Sequence, residues 1–311
     1  MSFVIHRLLL LIPVAVGVTI IVFFMIHLIP GDPARTILGI HATAPAIAEL
    51  HREWGLNRPL AAQYWLFLNR LFHGNLGQSL FYQVPARTLI FGRLPVTLWL
   101  IIYSVVLAIV ISVPLAMVAA SRKDGARDQA VRAIPLVGLG MPQFLTGIVL
   151  IYLFALRVHA FPVGGYGSGI GGHLRSMFLP SLTVAIGLAP VIIRSLRVSM
   201  IEVLGSDYIT TARAKGVRGG RLLARHVLRN AVIPAVTVLG INIGFLIGGT
   251  LIVENVFAIP GIGQLMIQSI FARDFPVVQG VTLVFGVIVV VVNLLTDVAY
   301  TLLDPRVRFG R

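Results

Sequence analysis

Cysteine is absent from the 311-residue chain. That excludes a disulfide framework, thiolate metal sites and a cysteine nucleophile, and leaves the compartment undecided. Charge is scarce as well: 12% of residues are charged and only 11 are acidic, against roughly 25% charged in a soluble globular domain. With 57% hydrophobic residues and a mean hydropathy of +0.94, the chain reads as a polytopic membrane protein. No Gly-Lys-Ser/Thr sequence is present, so the chain has no phosphate loop with which to hydrolyse ATP by itself. Histidines stand at 6, 27, 41, 51, 73, 159, 173 and 226 without paired helical spacing, which gives no catalytic metal site. Serines in the apolar runs have no histidine partner of the kind an intramembrane protease needs. Ionisable residues of the kind that form proton relays are also scarce in those runs: only Glu254 and Asp297 come close, each near an end. No cofactor is expected in this chain.

What is present is six apolar runs, Leu8 to Ile29, Val96 to Ala120, Ile134 to Phe154, Leu179 to Ile193, Ala231 to Val253 and Val281 to Leu295. The first is too long for the apolar stretch of a signal peptide, about 7–15 residues, and suits a spanning helix of about 20. His27, near its outer end, reads as an interfacial polar residue. Pro114, Pro135, Pro180 and Pro190 fall within or beside the runs; proline frees a carbonyl and bends a helix, which is tolerated where a neighbour or a water-filled path supplies a partner. Gly240, Gly244 and Gly248 repeat at four-residue spacing in the fifth run, so that another backbone can approach one face.

The net charge of +14 does not imply nucleic acid, because the basic residues lie beside apolar spans and no aromatic stacking platform accompanies them. Sixteen of the 25 basic residues fall in the N-terminus, 121–132, 194–229 and the C-terminal tail with Arg306, Arg308 and Arg311. Positive charge is retained in short cytoplasmic segments. The expected fold is therefore all-α, with six transmembrane helices and both termini cytoplasmic. Residues 1–30 form the first helix, 31–95 a long structured extracytoplasmic loop, and 96–311 a five-helix core. The glycine-rich segment Arg157 to Ser176 reads as a flexible outer connector.

Residues 205–234, GSDYITTARAKGVRGGRLLARHVLRNAVIP, form a basic polar island between two apolar runs. Tyr208, Ile209 and Ala212, then Leu222, Leu223 and Val227, keep helical spacing, while Gly216, Gly219 and Gly220 permit a sharp turn. Two short helices meeting at a bend are expected.

This island resembles the coupling loop of ABC importer permeases, and most closely that of the dipeptide, oligopeptide and nickel branch: DYITTARAKG and HVLRNAVIP match its DYxRTARAKG and H-x-LRNA-x-xP. The Glu-Ala-Ala positions of the wider family read Thr210, Thr211 and Ala212, its glycine is Gly216, and its Ile-x-Leu-Pro positions read His226 to Arg229, a departure. Further likeness lies in GDPA at 31–34, GLNRPLAAQY at 55–64, HGNLGQS at 73–79 with Asn75 at a usually acidic position, ENVFAIPGIGQLMIQSIFARDFPVVQ at 254–279, and the ending LDPRVRFGR.

The resemblance implies a B-type permease subunit of a bacterial-type inner membrane. It also implies a second homologous permease subunit, two ATP-binding subunits or domains and an extracytoplasmic substrate-binding protein, with lipid around the spans. On that reading the loop 205–229 couples to the ATPase through Thr210, Thr211, Ala212, Arg213, Lys215 and Gly216. Glu254, Asn255, Pro260 and Gly261 form an outer gate or binding-protein contact, or Glu254 simply caps or pairs at the interface. Peptide is the first substrate class, with glutathione or a nickel complex second. A secondary carrier or channel built from two six-span chains stands as an alternative of another class, though no inverted repeat is visible; a membrane scaffold would not need a coupling loop.

Overall fold

The computed structural model describes residues 2–27, 32–39, 42–121, 123–217 and 219–303. Among these the regular elements are all helical: α1 (Ser2–His27), α2 (Pro33–Leu38), α3 (Ala44–Trp54), α4 (Leu60–Phe72), α5 (Ala86–Ser121), α6 (Ala126–Gly140), α7 (Gln143–Leu150), α8 (Gly169–Leu204), α9 (Asp207–Ala214), α10 (Gly219–Arg221), α11 (Leu228–Val256), α12 (Ile262–Phe271) and α13 (Phe275–Leu303). Two π-helical segments, Ile151–Arg157 and Leu222–Val227, continue α7 and join α10 to α11. Among the described residues, four helices are long and apolar enough to cross a membrane: Ala86–Ser121, Gly169–Leu204, Gly219–Gly244 and Phe275–Ala299. Shorter apolar helices cover Ile12–Met25, Gln143–Arg157, Leu246–Val256 and Ile262–Phe271. The tail from residue 304 onward, with its three arginines, lies outside the described residues, as do Arg122 and Arg218.

The chain forms two compact units, one of residues 1–97 and 260–291 and the other of 98–259 and 292–311. In the first, α2 is capped by Asp32, whose carboxylate accepts the Ala34 N–H at 3.0 Å and binds His51 of α3 at 2.9 Å. The acid of GDPA is thus a structural cap, and the His51 hydrogen bond holds its carboxyl below the usual value. α4 lies on α1 through Tyr64, whose hydroxyl meets Thr19 Oγ1 at 2.8 Å, and through Gln63, which joins His27 at 2.9 Å. His27 is therefore a paired polar residue.

Within the second unit, α8 against α11 is the most extensive helix pair, with α6 and α7 on α8. A buried cluster of Ala119, Val131, Ala189 and Ile193 joins α5, α6 and α8. Pro190 frees the carbonyl of Ile186, and Gly138 of α6 lies against that residue: a Cβ there would stand 2.8 Å from Ile186 Cγ2 and 3.4 Å from its carbonyl oxygen.

Three expectations change. The third apolar run is two helices, broken at Met141–Pro142, because a residue before proline is driven to extended backbone and Met141 adopts φ −85°, ψ 129°; Pro135 stays inside α6. The fourth run is the middle of a 36-residue helix that holds both Pro180 and Pro190. The glycine-rich connector ends at Ser168, where α8 begins, and it is pinned: Gly165 N–H donates to the Phe257 carbonyl at 2.9 Å. A Cβ on Gly164 would lie 2.0 Å from that same oxygen.

Gly164→Ala is accordingly expected to cost about 2 kcal/mol or more, since the obstructing atom is backbone and must shift. Gly171→Ala, a helical position with nothing within 4 Å, should leave thermal unfolding in detergent unchanged or slightly raised.

Candidate coupling segment

The polar island is a short helix followed by a helical continuation, rather than two separate short helices. α8 ends at Leu204, and Ser206, in extended backbone, opens α9 with Asp207 in its first turn and Arg213 in its last, both signs favourable for the helix dipole. The end of α9 is a Schellman stop: Gly216 N–H donates to the Arg213 carbonyl at 2.9 Å and Val217 N–H to the Ala212 carbonyl at 3.1 Å. Gly216 sits at φ +84°, a conformation that favours glycine, with open space where a side chain would be. The chain then re-enters helix at Gly219 and runs through the π segment into α11.

One face of α9 is an anchor. Ile209 is fully buried with Leu222 and Val227 of the π segment also buried. The Tyr208 hydroxyl accepts Asn230 Nδ2–H at 2.7 Å. The opposite face is free: Thr210, Thr211, Arg213, Lys215 and Gly216 are exposed, and Ala212 is half-buried. Arg221, Arg225 and Arg229 are exposed in the continuation. The structure therefore gathers all six expected coupling residues on one helix and its cap, outward-facing and basic.

An unforeseen clamp lies at the foot of α6. Asp128, fully buried, accepts two hydrogen bonds from Arg197 of α8, from Nε at 2.5 Å and Nη2 at 2.6 Å, and takes the Asp124 N–H at 2.9 Å. Arg132 Nη2 lies 3.4 Å away. The Arg197 hydrogen bond outweighs burial and holds the Asp128 carboxyl down to about 2. The sequence shows Asp124 and Asp128 in an otherwise basic segment, with nothing local to mark Asp128 as the partner of Arg197.

The other expected residues separate. Glu254 is buried and Asn255 exposed, both at the end of α11; Asn255 Nδ2–H donates to the Leu251 carbonyl at 2.7 Å. Ile259 N–H reaches the Glu254 carbonyl at 2.8 Å and Ala258 N–H the Asn255 carbonyl at 3.3 Å, a second Schellman stop, with Ala258 at φ 48°. Pro260, exposed, follows it, and Gly261 caps α12; both belong to the first unit. In that unit Asp274 is fully buried and accepts from Ser79 Oγ and from the Leu80 and Phe81 N–H groups, the latter two at 3.4 Å, so the acid of the RDFP motif holds the 79–81 turn. A cleft of about 560 Å³ beside it is lined by Trp54, His73, Asn75, Gln78, Arg87 and Pro276 among others, which places the HGNLGQS motif on its wall.

Residues 112–309 match the family described as binding-protein-dependent transport system inner membrane component, and residues 1–101 match the N-terminal domain of such membrane components. The chain belongs to the binding-protein-dependent transport permeases. This permease is 38% identical over 310 residues to a probable peptide ABC transporter permease protein of Sinorhizobium fredii, covering 99% of both chains. It is 37% identical over 309 residues, again 99% of each, to a glutathione transport system permease protein of Pectobacterium atrosepticum. Its fold is similar to the methionine ABC transporter MetNI in inward-facing conformations, with a TM-score of 0.58 at 19% identity over 70% of this chain and 96% of that one. The permease is a multi-pass inner-membrane component of an ABC importer and a transport subunit rather than a catalytic chain.

Two outcomes are expected from the site geometry. Gly216→Ala should lower stability by about 1 kcal/mol through left-handed strain alone, whereas Gly220→Ala, at an ordinary helical φ, should not. The native Asp128 carboxyl lies below its ordinary value near 3.8, so its contribution is present above that pH and is lost as pH falls from about 4 to 2. That contribution is about 2 kcal/mol. Thermal unfolding across pH should show this component in the wild type and lack it in Asp128→Asn, which is itself less stable at pH 7 because Arg197 loses its partner.

Proposed function

We propose that the chain forms one half of the translocation pathway of an ATP-driven importer, in six spans with both termini cytoplasmic, and that its cargo is peptide delivered by an extracytoplasmic binding protein. A second, related permease subunit completes the pathway, and two ATP-binding subunits or domains dock on the cytoplasmic face. The observation that carries this reading is α9: a short amphipathic helix, anchored by Ile209 and stopped at Gly216, that offers Thr210, Thr211, Arg213 and Lys215 to solvent.

The mechanical argument follows from its roots. α9 is held between the end of α8 and the π segment leading to α11, the helices of the most extensive pair in their unit. A push on α9 by closing ATPases therefore reaches α8 through the short link Gly205–Ser206 and α11 through the Tyr208–Asn230 hydrogen bond. The capped, hydrogen-bonded ends make α9 a lever, and alternating access follows as α8 and α11 change their tilt.

Peptide is supported by the relatives from Sinorhizobium fredii and Brucella ovis, the latter a putative peptide permease protein 38% identical over 316 residues. Glutathione, itself a small peptide, is supported at nearly equal identity by the relative from Pectobacterium atrosepticum. Glu254, Asn255, Pro260 and Gly261 are assigned to the outer gate or binding-protein contact on motif alone.

The test is a pull-down of tagged protein from mild detergent followed by an ATPase assay. A co-purifying ATPase is expected, with its activity lost or uncoupled from transport in Gly216→Trp, whose side chain would project from the docking face. Purification of the chain alone, together with transport into liposomes without ATP, would overturn the reading in favour of a secondary carrier.

A further inference from the structure

We propose that the crevice between α6 and α8 binds the phosphate headgroup of an anionic phospholipid from the cytoplasmic leaflet. The crevice has a volume of about 350 Å³, within the range of about 300–1,000 Å³ that small-molecule sites occupy. Its lining includes three arginines, Arg132, Arg194 and Arg197, and is otherwise apolar, with Pro135, Pro190 and Ile193 among the rest.

The charges are arranged to leave capacity for an anion. Asp128 engages Arg197 through Nε and Nη2, so Nη1 is left for another acceptor. Arg132 stands 3.4 Å from Asp128 and 3.8 Å from the exposed Asp124, and Arg194 is exposed and makes no ion pair among the described residues. Three cations against two carboxylates, one of them in solvent, give a positive crevice. Buried Asp128 orients Arg197 rather than cancelling the site.

The apolar wall selects a lipid over a soluble anion. Arg132 precedes the third apolar run by two residues and Arg194 follows the fourth directly, which sets both at headgroup depth. The wall on the side of the apolar runs is Pro135, Pro190 and Ile193, and Val137, five residues further into α6 than Arg132, is 66% exposed, so an acyl chain has apolar surface to follow. Basic pockets between spans on the cytoplasmic side are suited to anionic headgroups.

This assignment rests on the topology proposed above but not on the coupling role of α9, so a lipid count and the ATPase assay fail independently. The experiment is native mass spectrometry of the purified chain with its co-purifying partners, titrated with phosphatidylglycerol or phosphatidylcholine of identical acyl chains. Phosphatidylglycerol is expected to bind about fivefold or more tightly. Arg194→Gln, at an exposed position, should remove that preference, and Arg194→Lys should keep most of it. Inorganic phosphate should not displace the lipid. Equal retention of the two lipids, or an unchanged preference in Arg194→Gln, would overturn the proposal. Displacement by inorganic phosphate would overturn it in favour of a free-anion site. A Val198→Cys variant that crosslinks to a neighbouring protein subunit, and not to a phosphatidylglycerol with a photoactivatable headgroup, would overturn it in favour of a protein contact.

Discussion

Backbone hydrogen bonding is the constraint on which the rest of the structure depends. In hydrocarbon an unpaired N–H or C=O costs several kcal/mol, so a spanning chain is helical and every place where it stops must be closed by its own backbone. Four such stops share one construction. After α4, α9, α11 and α12 the residues at the turn are Gly74, Gly216, Ala258 and Arg273, all at positive φ, and each time that residue's own N–H and the next one return to the last turn of the helix. Two of the four are glycine. At Ala258 and Arg273 the strain of the left-handed conformation is carried by the buried residues around it: Phe257 and Ile259 are 1% and 0% exposed, and Asp274 anchors the 79–81 turn.

The same constraint explains which parts of the fold were legible in the sequence. Apolar runs and the glycine that ends α9 follow from composition and from left-handed backbone, and these were read as helices and a bend. Where a break depends on one peptide, as at Met141–Pro142, a hydropathy window does not register it, because Pro142 and Gln143 are too few to interrupt the long apolar run in which they stand. Length was also misjudged for α8, since Pro180 and Pro190 each remove one donor yet stay within a continuous helix supported by neighbours. The glycine-rich stretch ahead of α8 looked like a flexible linker by composition, whereas Gly164 is required to be small by the carbonyl of Phe257, far along the chain.

Of the candidate site, α9 was legible because a short amphipathic helix with a glycine stop leaves both marks in sequence. The clamp between Asp128 and Arg197 was not, because a pair 69 residues apart has no local signature. Its effect is nonetheless direct. It fixes the foot of α6 to α8 two turns before that helix delivers the chain to Ser206, so α8 meets α9 from a braced position. Close approach elsewhere in that unit uses the opposite strategy: Gly240 admits Thr296 of α13 and Gly249 admits Gln143, where a Cβ would come within 2.2 and 2.5 Å of the intruding side chain.

The π segment Leu222–Val227 bears on how the two sides of the docking helix's attachment are phased. A π turn holds one residue more than an α turn, and one residue corresponds to about 100° of rotation about the helix axis. Removing a residue from this stretch would leave a regular α-helix with its backbone ladder intact, so the chain could bear the deletion locally. Everything ahead of it would turn by about 100° against α11, carrying Leu222 away from Ile209 and swinging the exposed face of α9 around the bundle. The surplus residue is therefore an angular setting: it costs the fold little and determines the direction in which Arg213 and Lys215 point.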